Sequence, residues 1–342
     1  MKKREGLSAI EYAALLAAVP AAMLICICVG SVEISASDVL GCIWNSVLGR
    51  AVPEGISASI ILGVRLPRVL CAGLIGAALS LCGGAMQGLL RNPLADGSTL
   101  GVSSGASLGA AAAIAFGIDI PGLPFAGTAA MSMIFAFASL LLILAMAYKM
   151  DCTLSTDTII LIGVIFSMFA GSAISFITTF AGNRVKQITF WMMGSLADSS
   201  YLNALILFAA LAVFGIPVLC MSRELNAFAL GEDNAANIGV PVKKIKLAVL
   251  ICVSGLIGIC VSVGGTIGFV GLVIPHMTRM AAGANHRRLL PAAMLGGAVF
   301  LMLADLVSRV ILSPLQLPIG VVTSFIGAIV FFVIFFRSRR AG

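Results

Sequence analysis

Residue types that do chemistry are scarce in this chain, and their spacing argues against catalysis. Two histidines, His276 and His286, lie ten residues apart and outside any HExxH pattern, so a zinc hydrolase site has no anchor. His276 follows Pro275 in an apolar run and reads as a helix end or break. His286 sits in the basic stretch "NHRRLL". Most of the nine cysteines (Cys26, Cys28, Cys71, Cys82, Cys220, Cys252, Cys260 among them) fall inside apolar runs, where a free thiol behaves as a small hydrophobe. There is no CxxC pair and no Cys/His cluster with zinc-type spacing, so no metal site is expected. A GxxxxGK[ST] phosphate loop is also absent, which excludes ATP binding in the P-loop manner. Nearly every acid lies at the end of an apolar run. Asp305, in "FLMLADLVSRVIL", is the exception, and Arg309 follows it at i+4 in the favourable order for a helical ion pair. Mutual neutralisation is the first reading of that pair. The alternative is a proton relay in a proton-coupled secondary transporter, although a carrier driven by its own charges should have more of them.

The elements that position these residues are membrane spans. The chain is 60% hydrophobic and 10% charged, with a mean hydropathy of +1.13, whereas a soluble domain is about a quarter charged. Its net charge of +7 would suggest nucleic acid, but the charges fall at the ends of apolar runs, so no nucleic-acid role is expected. Runs long enough to span lie at about 10–30, 61–90, 98–117, 124–147, 157–181, 199–221, 246–263, 267–283, 288–312 and 318–336. The eighth is interrupted by Pro275 and His276. The first resembles a signal peptide in following Lys2, Lys3 and Arg4, but it is long enough to span and lacks a clean cleavage site, so it is expected to stay. The expectation is an all-α polytopic membrane protein, a single domain over 1–342 with ten spans and both termini on one side. With the termini in the cytoplasm, only Arg50, Arg65, Arg68, Arg184, Lys186 and Arg309 of the 21 lysines and arginines face outward.

Two further features stand out. "GVSSGASLG" sets Gly101, Gly105 and Gly109 at intervals of four, and "GGAMQG" repeats the spacing with Gly84 and Gly88. Small residues so placed let helix backbones approach closely, which predicts a compact bundle. "ALGEDNAANIGVPVKKIK" (229–246) is a polar block on the cytoplasmic side between the sixth and seventh spans. It predicts one or two short helices broken at Gly231 and Gly239, with Glu232 and Asp233 near a helix start. Such a block, tied to span seven through Lys243–Lys246, could dock on another protein and transmit its motion.

In order and spacing, "RLPR" (65–68), "GAALSLCGGAMQGLLRNPLADGSTLGVSSGASLGA" (76–110), "WMMGSL" (191–196), "LGEDNAANIGV" (230–240), "GTIGFVGLVIPHMTRM" (265–280), "HRRLLP" (286–291) and "LPIGVVTSFIGA" (317–328) resemble the permease subunits of type II ABC importers for iron-siderophore, haem and cobalamin, the FecCD-type permeases. The resemblance covers nearly the whole chain. It implies a dimeric permease of the cytoplasmic membrane of a bacterium or archaeon, partnered by a second permease subunit, an ATP-binding subunit and an outer solute-binding protein. It implies no cofactor on this chain, with ATP and magnesium on the partner, and a translocation path along the dimer interface. The segment 222–245 becomes the coupling-helix region, with Leu230, Gly231, Glu232, Asp233, Ala236, Gly239 and Val240 facing the ATP-binding subunit. Arg65, Arg68 and Arg309 become docking residues for the outer protein. "LSTDT" (154–158) occupies the inner gate, which carries over to Ser155 and Thr156. There Asp157 would either bring like charges near the dimer axis or cap span five, and capping is preferred. Span five offers Ser167, Ser172, Ser175, Thr178 and Thr179 to the path, a mild polarity suited to a bulky chelate. Iron-siderophore is the first expectation for the cargo.

Overall fold

The computed structural model describes residues 8–30, 32, 34–50, 56–120, 126–151 and 154–340. The expectation placed on Lys2, Lys3 and Arg4 lies outside them. The described residues form sixteen α-helices and no strand. In order these are α1 (Ala9–Cys28), α2 (Ala36–Val47), α3 (Ile56–Ile60), α4 (Leu66–Leu89), α5 (Val102–Phe116), α6 (Ala126–Met150), α7 (Thr156–Phe180), α8 (Val185–Met192), α9 (Tyr201–Ala210), α10 (Ile216–Cys220), α11 (Ser222–Phe228), α12 (Glu232–Asn237), α13 (Val242–Gly264), α14 (Val270–Ala282), α15 (His286–Val310) and α16 (Ile319–Arg340).

Local chemistry accounts for several boundaries. Ser8 and Glu11 close a capping box at the start of α1, and Ser35, Ser155, Ser200 and Asn285 accept backbone N–H bonds at the starts of α2, α7, α9 and α15. Two π-turns, Ile61–Arg65 and Leu211–Gly215, join α3 to α4 and α9 to α10. Each ends two residues before a proline, Pro67 or Pro217. A proline ring clashes with the carbonyl four residues back and supplies no N–H to it. The wider π-turn absorbs that mismatch without ending the helix.

Among the described residues seven helices are long and apolar enough to cross a membrane: Ala9–Cys28, Ser57–Leu89, Ala126–Met150, Thr156–Phe180, Tyr201–Cys220, Val242–Gly264 and His286–Val310. They match the first, second, fourth, fifth, sixth, seventh and ninth expected spans. The third and tenth appear as the shorter apolar helices Val102–Phe116 and Ile319–Val333. The eighth differs. Its helix, α14, has 13 residues, or about 20 Å at the helical rise, well short of a ~30 Å hydrocarbon core. Pro275 does not break it. The break lies earlier, at Gly265 (φ 69°) and Phe269 (φ 68°), where positive φ ends α13 and delays the start of α14. His276 therefore lies within the helix rather than at its end.

α4 is the hub, packed against α15, α14 and α13. Its backbone meets α15 where Gly76 faces Gly297, since a Cβ on Gly76 would stand 2.1 Å from the Gly297 carbonyl oxygen. It meets α14 where a Cβ on Gly83 would stand 1.7 Å from the Gly271 oxygen. Two glycines of the predicted stripe, Gly105 and Gly109 of α5, face α6 in the same way, while Gly101 approaches Gly163 of α7. Cβ atoms at Gly105 and Gly109 would each lie 2.4 Å from α6, at Ser139 Oγ and the Met131 oxygen. These contacts gain dispersion energy that lipid cannot match.

Candidate functional site

The polar block folds as two short helices, α11 and α12, divided at Gly231 (φ 109°) and ended at Gly239 (φ 91°). Phe228 and Ala235 anchor it and are fully buried. Around them Asp233, Ala236 and Gly239 are exposed, and Leu230 and Ile238 are each 65% exposed. Gly231 and Val240 are half-buried, and Val240 packs against the core. Glu232 departs from its neighbours by turning inward. Both its carboxylate oxygens accept from Lys246 Nζ at 2.8 Å, and Oε1 also accepts from Thr156 Oγ1 at 3.0 Å. The Lys246 side chain is completely buried and donates its remaining bond to the Leu154 carbonyl oxygen at 2.8 Å. One buried ammonium and one carboxylate thus connect the expected coupling region with the expected gate.

A lysine near the start of α13 is buried because of its helical phase. Lys246 is followed at i+3, i+4 and i+7 by Val249, Leu250 and Val253, all buried. It lies on the apolar face of the span, and that phase was readable from the sequence. Its partners, 14 and 92 residues away, were not.

The turn before α7 is tightly bonded. Leu154 adopts φ 54°, unusual for a branched residue, and is 4% exposed. Asp151 Oδ2 accepts from Ser155 N at 2.9 Å, and Ser155 Oγ lies 2.7 Å from Thr158 Oγ1. Ser155, not Asp157, caps α7: its side chain accepts from Thr158 N, and Asp157 sits exposed in the first turn. The preferred capping role for Asp157 is therefore corrected. A serine hydroxyl just before the first helical residue reaches the free N–H groups directly, whereas Asp157 is already inside the helix.

Along α7 all five hydroxyls named as path candidates donate to their own helix. Ser167, Ser172, Ser175, Thr178 and Thr179 bond the carbonyl oxygens of Gly163, Met168, Gly171, Ile174 and Ser175 at 2.7–3.1 Å. The helix therefore offers lone pairs but few free donors. Met168, Phe169, Phe176 and Phe180 project beside them, 64–74% exposed.

At the opposite end of the bundle the structure differs from the expectation for the arginines. Arg65 is 4% exposed and donates to the carbonyl oxygens of Ile27, Cys28 and Val32, which ties the end of α1 to the start of α4. Arg68 Nε and Arg309 Nε each reach the fully buried Asp305 at 2.9 Å, one on each oxygen. Arg68 also donates to Gln316 Oε1 at 2.7 Å, and Arg309 to the Cys26 carbonyl oxygen at 2.9 Å. The three guanidinium groups, expected as outward docking groups, are engaged inside the chain in this conformation. The proton-relay reading of Asp305 also loses its basis, because the carboxylate is held between two arginines.

Three of the family-like motifs meet near this end. Ser195 N donates to the Gly264 oxygen, Thr266 Oγ1 to the Met192 oxygen, and the first N–H groups of α16, from Ile319 and Gly320, to the Gly194 and Met193 oxygens at 3.1 Å. The free donors of a helix start are thus satisfied by the 193–194 turn. Elsewhere, His286 is buried at the start of α15 with its Nδ1 2.8 Å from Asn226 Oδ1. Among the described residues no group of His, Cys, Asp or Glu could hold a metal.

A model of the FecCD transport family matches residues 16–337. The chain is 43% identical over 316 residues to the uncharacterised ABC transporter permease protein YvrB of Bacillus subtilis, covering 92% of this chain and 89% of that one. It is 34% identical to the molybdate import system permease protein MolB of Haemophilus influenzae, covering 92% and 91%, and 36% identical to the hemin transport system permease protein HmuU of Yersinia pestis, covering 93% and 94%. Among solved structures it superposes on a metal-chelate type ABC transporter in an inward-facing conformation, with TM-score 0.83, 31% identity, and 95% and 98% of the two chains covered. With seven long apolar helices among its described residues and this match over nearly the whole chain, the chain is a membrane-embedded member of the FecCD transport family of ABC permeases.

Proposed function

We propose that this chain is one half of the membrane domain of an ATP-driven importer that carries a metal chelate, iron-siderophore foremost, from an outer binding protein to the cytoplasm. The two termini and α12 face the cytoplasm, in keeping with the distribution of lysine and arginine. A second permease subunit completes the path, and an ATP-binding subunit supplies the energy. The observation that carries this reading is α12 itself. One side is held to the bundle by Glu232, while Leu230, Asp233 and Ile238 stand free on the other. Two large exposed apolar side chains beside an acid at the end of a membrane bundle suit a protein partner. The α7 wall supports the cargo class. Its hydroxyl protons are engaged internally, so it can pass a bulky, oxygen-rich chelate without holding it. Relatives named for molybdate and hemin are nearly equally similar, so selection among chelates belongs to the outer protein.

The test is a pull-down of the tagged permease from its native membrane. Burying Leu230 and Ile238 against a partner is worth about 2–3 kcal/mol together, or roughly 30- to 140-fold in affinity. Leu230→Ser/Ile238→Ser should therefore lose a co-purifying ATP-binding protein that the unaltered chain retains. Equal retention would refute α12 as the docking surface. Import into vesicles driven by a pH gradient, with neither ATP nor an ATPase subunit, would refute the importer reading.

A further inference from the structure

The expected docking helix and the expected gate turn are 76 residues apart in sequence, yet they share one carboxylate. We propose that Lys246, Glu232 and Thr156 form a latch that makes α12 and the 154–156 turn move as one body, so that a displacement of α12 reaches the N-terminus of α7 directly. The proposal rests on the reading of α12 as the ATPase-docking element.

The geometry supports it in three steps. First, an ammonium has three protons, and Lys246 directs them to Glu232 Oε1, Glu232 Oε2 and the Leu154 oxygen. Its side chain has no exposure, whereas that of Glu232 is 34% exposed, so the pair sits at the edge of the bundle. Pulling α12 away from the turn would leave the Lys246 ammonium with one carbonyl and no anion, and removing one partner of such an ion pair is costly. Second, Glu232 Oε1 bridges Lys246 and Thr156, so the carboxylate holds the gate side as well as α13. Third, both ends of the latch are stiff. Ala235 is buried under α12, and Val240 N donates back to the Ala235 oxygen. On the other side the turn is fixed by buried Leu154 and by the Asp151–Ser155 bond. Motion at α12 therefore passes to α7 without being absorbed between them. Glu232 acts on the gate through Lys246 and Thr156 as a positioning residue. The acid left free to meet a partner is Asp233.

The experiment uses the whole complex, purified with its ATP-binding subunit into nanodiscs. A nitroxide goes on an unnatural ketone side chain at position 157, an exposed site in the first turn of α7, which avoids the native cysteines. Its mobility and accessibility are read without nucleotide and after trapping with Mg-ATP and vanadate. In the unaltered chain the label should change on trapping. In Lys246→Met, and in Glu232→Gln/Lys246→Met, which leaves no stranded charge and so guards against misfolding, the change should fall at least fivefold. In Lys246→Met, a buried residue outside the coupling surface, ATP hydrolysis and retention of the ATP-binding subunit should persist. A label that responds in the double variant as in the unaltered chain refutes the latch, as does one that never responds in the unaltered complex. Failure of the unaltered chain to retain any ATP-binding subunit refutes the docking reading instead, so the two failures are distinguishable.

Discussion

Replacing Asp305 by asparagine tests the buried charge cluster and, with it, the kind of transporter this is. Asp305 is fully buried, and its two arginine partners are 6% and 8% exposed. The amide would keep the shape and could still accept one hydrogen bond, but the two guanidinium groups would then face each other with no anion between them. At an effective dielectric near 20, each ion pair contributes about 4 kcal/mol, partly offset by arginine–arginine repulsion. Breaking a buried pair typically costs about 3–5 kcal/mol, and the lower part of that range fits here because Gln316 and the Cys26 oxygen still hold the arginines. Unfolding entropy of ~2 cal/mol/K per residue gives on the order of 0.7 kcal/mol/K for a chain of this length, so the melting temperature should fall by about 5 °C. Helices that persist in the unfolded membrane state make the true entropy smaller and the shift larger. The assay is thermal unfolding in nanodiscs of the unaltered chain, Asp305→Asn, Arg68→Met and Asp305→Asn/Arg68→Met. Removing one arginine with the acid relieves part of the stranded charge, so the double variant should melt above Asp305→Asn. A melting temperature within ~1 °C of the unaltered chain for Asp305→Asn would refute the argument. So would a stable Asp305→Asn protein that had lost only pH-driven uptake, the outcome a proton relay requires.

Other outcomes follow from specific contacts. Gly83→Ala should prevent α4 from closing on α14, because the added carbon would stand 1.7 Å from the Gly271 oxygen and neither backbone has a side chain to yield; yield of folded protein on size-exclusion chromatography checks this, and normal yield would show that the two helices can separate at little cost. Arg184→Met should destabilise the end of α5 by about 1–2 kcal/mol. The guanidinium donates to the Ile114 and Ala115 oxygens, where the helix presents free carbonyls and its negative pole. Faster amide exchange of residues 113–118 is the expected readout, and unchanged exchange would place the anchoring elsewhere.

Much of the fold was legible because hydropathy is a local property. Twenty apolar residues name a span whatever surrounds them, and all ten expected spans have a helix at their place. Gly101, Gly105 and Gly109 announced close helix contacts by spacing alone, although only the structure names α6 as the neighbour of Gly105 and Gly109 and Gly163 of α7 as that of Gly101. Span eight misled for a local reason. Pro275 and His276 look like a break, but α14 continues through Pro275 as its sixth residue, and the true break uses positive φ at Gly265 and Phe269, which hydropathy does not report.

The candidate site divides along the same line. The polar block and its two glycine breaks are features of a few consecutive residues, so sequence determined them, whereas the cap of α7, expected at Asp157, fell to Ser155. The roles of the charges were decided by tertiary structure. Arg68 meets Asp305 across 237 residues and Lys246 meets Leu154 across 92. Whether an arginine at a span end faces water or turns inward depends on which helix crosses beside it. The residues flanking the arginine do not encode that crossing, because it is fixed by glycine contacts on α4 that bring α15 and α14 within backbone distance. Composition and period along the chain determined the class and the spans, and the order and spacing of the quoted motifs pointed to the family. The inward turn of Glu232, and the loss of three arginines from the surface, came only from packing, where the cost of a lone buried charge selects its partner.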